Sequence, residues 1–344
     1  MRKRFFHLLS AVGLTVLLTA MFSGCTEELA TEMTKNRIML TADDSGFDNE
    51  HSVTRGSKVT SISSFGVSAS VYNAASTYTT AGCGSYFYKE AVTNGTPMSY
   101  YWPTSDYRLS FFAYYPRDNA AFTMQSSAAT AGAPTYHYTV PSAIASQVDV
   151  MTGQNVDVLG GGTSAVGITM KHRCAAVSFS VTNSRSSAIT LSSVSIEGVK
   201  YDGTLCEDTW TLSSAVNSSS ANPFSLSYGS SIAASATANI TGTSNIFLML
   251  PQAIPAGAKV KVVVDGEDPM EAELSGVWEA GKQYTYSMTV TQKSLIIDPL
   301  TEVTDWTGEV KYFTVSGVST NGIFTQPSVN NGQGMGIEDW TEEE

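Results

Sequence analysis

Leu109-Ser110-Phe111-Phe112-Ala113-Tyr114-Tyr115-Pro116 is a nearly unbroken apolar and aromatic run closed by a proline. Its length and its Phe/Tyr content predict a buried strand, and the proline, which has no amide hydrogen to give a ladder, ends it. Upstream, Phe65, Val67, Ala69 and Val71 alternate with small or polar residues, the period-two pattern of a strand with one face on a core. Between these two stretches, Tyr86-Phe87-Tyr88 and Tyr100-Tyr101-Trp102-Pro103 are short aromatic segments, and Asn94-Gly95 between them is a hairpin-type turn signal.

Downstream the same grammar continues. Residues 136–140 and 148–151 read as strands, and Gly160-Gly161-Gly162 interrupts the series. Further strand patterns lie at 166–170, 175–181, 189–196, 205–212, 246–250, 259–264 and 283–290. They are separated by Gly, Asn, Ser and Pro, and nowhere does a helical period last three turns. Short strands in long succession predict an all-β fold of sandwich type rather than βαβ units. With 344 residues, two domains are expected, and the glycine triplet is the expected junction.

The N-terminus is of another kind. Arg2, Lys3 and Arg4 precede an apolar run from 8 to 22, the two opening regions of a secretory signal. An uncleaved membrane anchor is the competing reading. Ser23-Gly24-Cys25 at the end of the run favours a lipoprotein signal, with Cys25 acylated and made the new N-terminus. Each buried CH₂ of an acyl chain contributes about 0.8 kcal/mol, so a multiply acylated Cys25 holds its chain to the outer membrane. Thr26-Glu27-Glu28 then opens an acidic tether whose one apolar island is Ile38-Met39-Leu40, expected as a short strand. The tether reaches Val53-Thr54-Arg55-Gly56, where the strand patterns begin.

Composition excludes some functions. The chain has 19 basic and 31 acidic residues, a net charge of −12, and the signal segment 1–24 carries three of the bases and no acid. Without a basic cluster it is a poor nucleic-acid binder, because phosphate contacts need Lys and Arg. Of the four cysteines, Cys25 is assigned to lipid; Cys174 and Cys206 are able to bridge, but three remaining cysteines make no disulfide framework. His172 with Cys174 has the spacing of a thiol–imidazole or metal pair, though a structural histidine is the expected reading. Glu271 and Glu273 share a strand face and read as solvated rather than as paired catalytic carboxylates. Tyr86, Tyr88, Tyr100, Tyr101, Tyr114 and Tyr115 are suited to stacking on sugars, but packing accounts for most of them. The glycine triplet lacks the Lys-Ser/Thr of a phosphate loop. No enzyme, cofactor or metal is expected.

Several of these segments, taken in order, resemble the fimbrillin family of Bacteroidetes pilins and pilin-like lipoproteins. Trp102-Pro103 followed by Leu109–Pro116 resembles its W-P … L-x-F-x-A-Y-x-P signature. Asp149-Val150-Met151, Lys171-His172-Arg173-Cys174-Ala175-Ala176-Val177-Ser178-Phe179, Leu248-Met249-Leu250-Pro251-Gln252 and Gly281-Lys282-Gln283-Tyr284-Thr285-Tyr286 resemble four further motifs. The resemblance implies two transthyretin-like β-sandwich domains in tandem, export as an acylated precursor, and cleavage by an Arg-specific protease between Arg55 and Gly56. The expected division is a signal peptide at 1–24, a propeptide at 25–55, sandwiches at 56–162 and 163–310, and a tail at 311–344.

The implied function is that of a fimbrial subunit or pilin-like adhesin at the cell surface. Its partners are other pilin subunits, joined by strand donation, with a host or bacterial surface ligand as a further partner. The alternative is a surface lipoprotein that binds a glycan or host ligand and never polymerises. A sandwich that loses a strand exposes an open groove and unpaired edges, a template for another chain. Ile38-Met39-Leu40 is on this reading a placeholder for that groove. The candidate donors are residues 311–318 and the strand-like end at Trp340, where Ile337-Glu338-Asp339-Trp340-Thr341 echoes Val303-Thr304-Asp305-Trp306-Thr307. The tail between them is rich in Gly and Asn and ends in Glu342-Glu343-Glu344.

Overall fold

A computed structural model describes residues 37–44, 61–78, 84–126, 132–242, 245–298, 300–305 and 310–314. Cys25, Arg55, Gly56, Cys83 and the tail beyond 314 lie outside the described residues. Among those residues the chain is all-β, with one short 3-10 turn at Ile144–Ser146, and no helix is long and apolar enough to cross a membrane.

The strands run in chain order from the tether. β1 is Arg37–Asp44, β2 Ser64–Asn73, β3 Gly84–Thr93, β4 Pro97–Tyr101, β5 Tyr107–Tyr115, β6 Phe122–Met124, β7 Thr135–Thr139, β8 Met151–Leu159 and β9 Val166–His172. β10 follows at Ala175–Asn183, β11 at Ile189–Glu197, β12 at Asp202–Cys206, β13 at Thr209–Leu212, β14 at Phe224–Ile232, β15 at Thr237–Asn239 and β16 at Phe247–Met249. The last are β17 Gln252–Ala253, β18 Lys259–Val264, β19 Met270–Glu273, β20 Val277–Trp278, β21 Lys282–Val290, β22 Leu295–Ile297, β23 Leu300–Asp305 and β24 Val310–Thr314.

A first hydrogen-bonded path runs β3-β2-β5-β8-β9-β1-β4. Its end strands, β3 and β4, are consecutive in the chain and joined by the Asn94-Gly95 turn, so the path folds back on itself. Its core contains Ile38, Leu40, Phe65, Val67, Leu109, Phe111, Met151, Ile168 and Met170. The expected buried strand is β5: eight of its nine residues are at least half-buried and Leu109, Ser110 and Phe111 are fully covered. It lies between β2 and β8, antiparallel to both; Leu109, Phe111 and Ala113 face the first core, while on its other face Ser110 meets Tyr72, Phe112 meets Tyr78 and Tyr114 joins the second core, so the apolar run does not need to alternate.

A second path runs β15-β10-β21-β23-β24, and a four-stranded sheet runs β14-β11-β18-β19. Between them lies a larger core with Val177, Phe179, Val194, Phe224, Phe247, Trp278 and Tyr286. β10 and β21 pair in parallel over eight positions, from Ala176↔Gln283 to Asn183↔Val290. A further sheet, β13-β12-β7-β6, draws strands from both halves of the chain. β7 pairs with β12 from Thr139↔Asp202 to Cys206↔Thr135, and Phe122, Tyr136 and Tyr138 belong to the second core.

Two local expectations change. Residues 205–212 were expected as one strand and are a hairpin: Glu207 turns at φ +52° and Leu205 pairs with Trp210. Asn94-Gly95 makes its turn, with Thr96 N–H donating to Thr93 O, but β3 and β4 do not pair; each joins a different neighbour. Gly160-Gly161-Gly162 packs beside Trp102 and Thr104. It turns between β8 and β9, and a Cβ on Gly160 would lie 2.3 Å from the Thr104 carbonyl oxygen. Only glycine allows that approach. The two cores interleave along the chain: Tyr114, Phe122, Tyr136, Tyr138 and Val150 pack in the second, Met151, Ile168 and Met170 in the first, and Cys174 in the second again.

Candidate functional site

The apolar island in the tether is the inner part of β1. Its burial alternates: Ile38, Leu40 and Ala42 are buried, Arg37, Met39 and Thr41 are half-exposed, and Asp43 is exposed. Period two in the sequence thus becomes one face on the core and one toward solvent. β1 is an interior strand. It runs parallel to β9, from Leu40↔Val166 to Asp44↔Met170, and antiparallel to β4, with Arg37↔Tyr101 and Met39↔Pro97. Ile38 and Leu40 are wholly buried, which contributes about 2 kcal/mol each by area.

One side chain holds the strand by its backbone. The Asn94 amide donates through Nδ2 to Ala42 O at 2.8 Å, and its Oδ1 accepts from Ala42 N at 3.0 Å. The same Nδ2 donates to Ile62 O at 2.8 Å, and Gly95 N donates to Leu40 O at 3.0 Å. Gly95 reaches this position at φ +71°, in the left-handed region that glycine enters freely. The contacts read backbone, so they would accept any strand in that register. The slot adds the side-chain requirement: two large apolar residues two positions apart, then a small one.

The first part of the expected donor segment is β24. It pairs antiparallel with β23, from Leu300↔Thr314 to Thr304↔Val310, at the edge of the second path. Residues 315–318 and Trp340 lie outside the described residues, as do the lipidation residue Cys25 and the processing residues Arg55 and Gly56.

The remaining candidates are structural. His172 Nδ1 lies 2.9 Å from the Asp149 carboxylate, both buried, at the crossover from β9 to β10. Beside it Arg173 donates from Nε to Thr152 Oγ1 at 2.6 Å, and its carbonyl accepts from Trp210 Nε1 at 2.7 Å. Burial lowers the Arg173 pKa and the Asp208 carboxylate opposes the shift. Cys174 is a free, fully buried thiol pushed far above the usual thiol range, first by burial and then by Asp149. It is no nucleophile, because the thiolate is the reactive form. Cys206 is free and exposed, so the two do not bridge. Glu271 ion-pairs with Lys259 and Lys261 on an open sheet face, and hydrogen bonds from Lys259 lead the lowering of its pKa. Tyr86 and Tyr100 lie 6.3 Å apart with their hydroxyls on Tyr101 O and Glu90, and Tyr114 packs against Tyr136.

Fold and slot together define an all-β chain with two cores and an N-terminal strand seated inside the first. The fimbrillin-like family pattern matches residues 42–306. A fimbrial protein from Bacteroides vulgatus ATCC 8482 has a similar fold at 14% identity, with a TM-score of 0.52, over 79% of this chain and 99% of its own. A candidate cell adhesion protein from Bacteroides ovatus ATCC 8483 does so at 15% identity, with a TM-score of 0.53, over 79% and 98%. Among curated proteins none matches. The chain belongs to the fimbrillin-like family.

Proposed function

We propose that this chain is a fimbrial subunit or pilin-like adhesin, exported as a lipoprotein on Cys25 and matured by cleavage after Arg55. The observation that carries the reading is the seat of β1. It is an interior strand of the first core, and it lies eleven residues before Arg55 in the chain. A cut at Arg55 leaves β1 held by noncovalent contacts alone. If β1 then leaves, β9 and β4 each lose a partner and the core loses Ile38, Leu40 and Ala42. A strand from a second subunit restores both, and head-to-tail repetition of an unclosed contact gives a filament. Membership of the fimbrillin-like family supports the same reading.

A second reading has its own support. The described part of the C-terminal donor segment is already paired on β23 of its own chain. A subunit whose tail stays there gives no strand, as in a fibre cap or in a surface lipoprotein that binds a glycan or host ligand and never polymerises. Mass spectrometry of the native N-terminus separates a matured subunit, cap included, from the non-polymerising lipoprotein. The subunit reading expects surface material beginning at Gly56; an intact acylated Cys25 on all surface copies would contradict it.

A further inference from the structure

A cleft of about 240 Å³ opens where β3, β5 and β6 meet, rimmed by Lys89, Arg117, Asp118, Asn119 and Thr123. Tyr114, Phe122 and Met124 form its floor. None of its lining residues is in β1, so it is independent of strand exchange. We propose that this cleft binds a sugar acid, a pyranose ring bearing a carboxylate.

Charge is the first argument. The chain has 19 Lys and Arg against 31 Asp and Glu, yet the cleft rim has two cations and one acid. Lys89 is placed there by its backbone. It sits in a bulge of β3, where the register to β2 shifts between Val67 and Ala69, at φ +56°. L residues avoid that region, and such outliers persist only where their surroundings hold them. Ser68 Oγ accepts from Lys89 N at 3.2 Å, and the ammonium spans to Met124 O at 3.3 Å. One of its three donors is thereby used.

The second argument is the pairing of donors with acceptors. A bare anion site needs donors only. Here Arg117 Nη1 is 2.7 Å from Asp118 Oδ2, so a guanidinium and a carboxylate sit side by side. Asn119 Oδ1 accepts from Ala121 N and Phe122 N, which leaves its Nδ2 hydrogens as donors, and Thr123 Oγ1, which accepts from Gln125 Nε2 at 3.0 Å, keeps its O–H to donate. Ring hydroxyls need both kinds of partner, and the apolar floor suits the C–H face of a sugar. The volume is below the roughly 300–1,000 Å³ of drug-sized sites, and fits a single ring.

The test is titration of the whole purified chain with D-glucuronate and D-galacturonate, with D-glucose and acetate as controls. At least one uronate is expected to bind, with glucose and acetate each weaker by about tenfold or more, since a charge-assisted hydrogen bond or a ring face is lost. Lys89→Gln and Arg117→Gln should each weaken uronate binding about tenfold at an unchanged unfolding midpoint. If Lys89→Gln disturbs the bulge and unfolds the chain, Arg117→Gln, on an exposed loop, decides. No uronate binding, equal binding of glucose or acetate, or unchanged binding in the folded variants overturns the proposal. None of these outcomes bears on whether β1 is exchanged.

Discussion

Asn94 ties three backbone groups of two segments with one amide, and at the residue scale it is the main determinant of the slot. Asn94→Ala leaves the Ala42 N–H, the Ala42 carbonyl and the Ile62 carbonyl without that partner. The expected loss is about 2 kcal/mol, read as a lower urea midpoint at constant slope. Asn94→Asp keeps the acceptor for Ala42 N but sets a carboxylate oxygen against the Ala42 and Ile62 carbonyls, so at neutral pH it should lose at least as much as Ala. Equal midpoints for all three would show that water replaces the amide and that the clamp is idle. Asn94-Gly95 was legible in the sequence as a turn, and the turn exists. Its second role was not legible, because Ala42 and Ile62 are 52 and 32 residues away and no local pattern names them. His172 was readable as structural, but its partner Asp149 is likewise set by the crossover between cores.

At the scale of elements, strands with period two or with dense aromatic content were readable: β2, β5, β10, β11 and β18 stand where the patterns put them. β14 was missed. Its first half, Phe224-Ser225-Leu226-Ser227-Tyr228, alternates, but Gly229 at φ +63° and Ser230-Ser231 break the period before Ile232. The parallel pairings β1–β9 and β10–β21 were also invisible, since period two gives the face of a strand and not its neighbour. β1 itself was read from three residues. Ile38→Asp puts a carboxylate at a fully buried position and should cost the uncut chain about 3 kcal/mol or more. Met39→Asp, on the half-exposed face, should cost far less. Chemical denaturation of the pair checks this; a matched loss in both would mean that β1 packs no specific face.

The whole molecule has two cores, and the second, which takes in Phe122, Tyr136, Tyr138 and Leu205 of the β13-β12-β7-β6 sheet, holds most of the buried tyrosines. Burial pushes Tyr72, Tyr114 and Tyr284 up to about 12, and Tyr136, Tyr138 and Tyr286 are also raised by burial. A tyrosine whose folded pKa lies above its unfolded value near 10 stabilises the fold fully below pH 10. That contribution is lost as pH rises through the folded value. Stability should therefore be flat with respect to these groups up to about pH 9 and fall from pH 10 to 12. In a spectrophotometric titration, the buried phenols should ionise together with unfolding. Simple titration of all tyrosines near pH 10 in a folded chain would contradict the packing.

The central claim, that β1 occupies a slot made to receive an exchangeable strand, is tested most directly by light scattering of the chain after cleavage at Arg55. The measurement is made with and without an excess of the peptide Arg-Ile-Met-Leu-Thr-Ala-Asp-Asp, the sequence of β1. The account predicts that the cleaved chain grows in mass with time and that the peptide suppresses the growth by refilling the slot. A cleaved chain that stays monomeric without peptide, or grows at the same rate with it, would contradict the account.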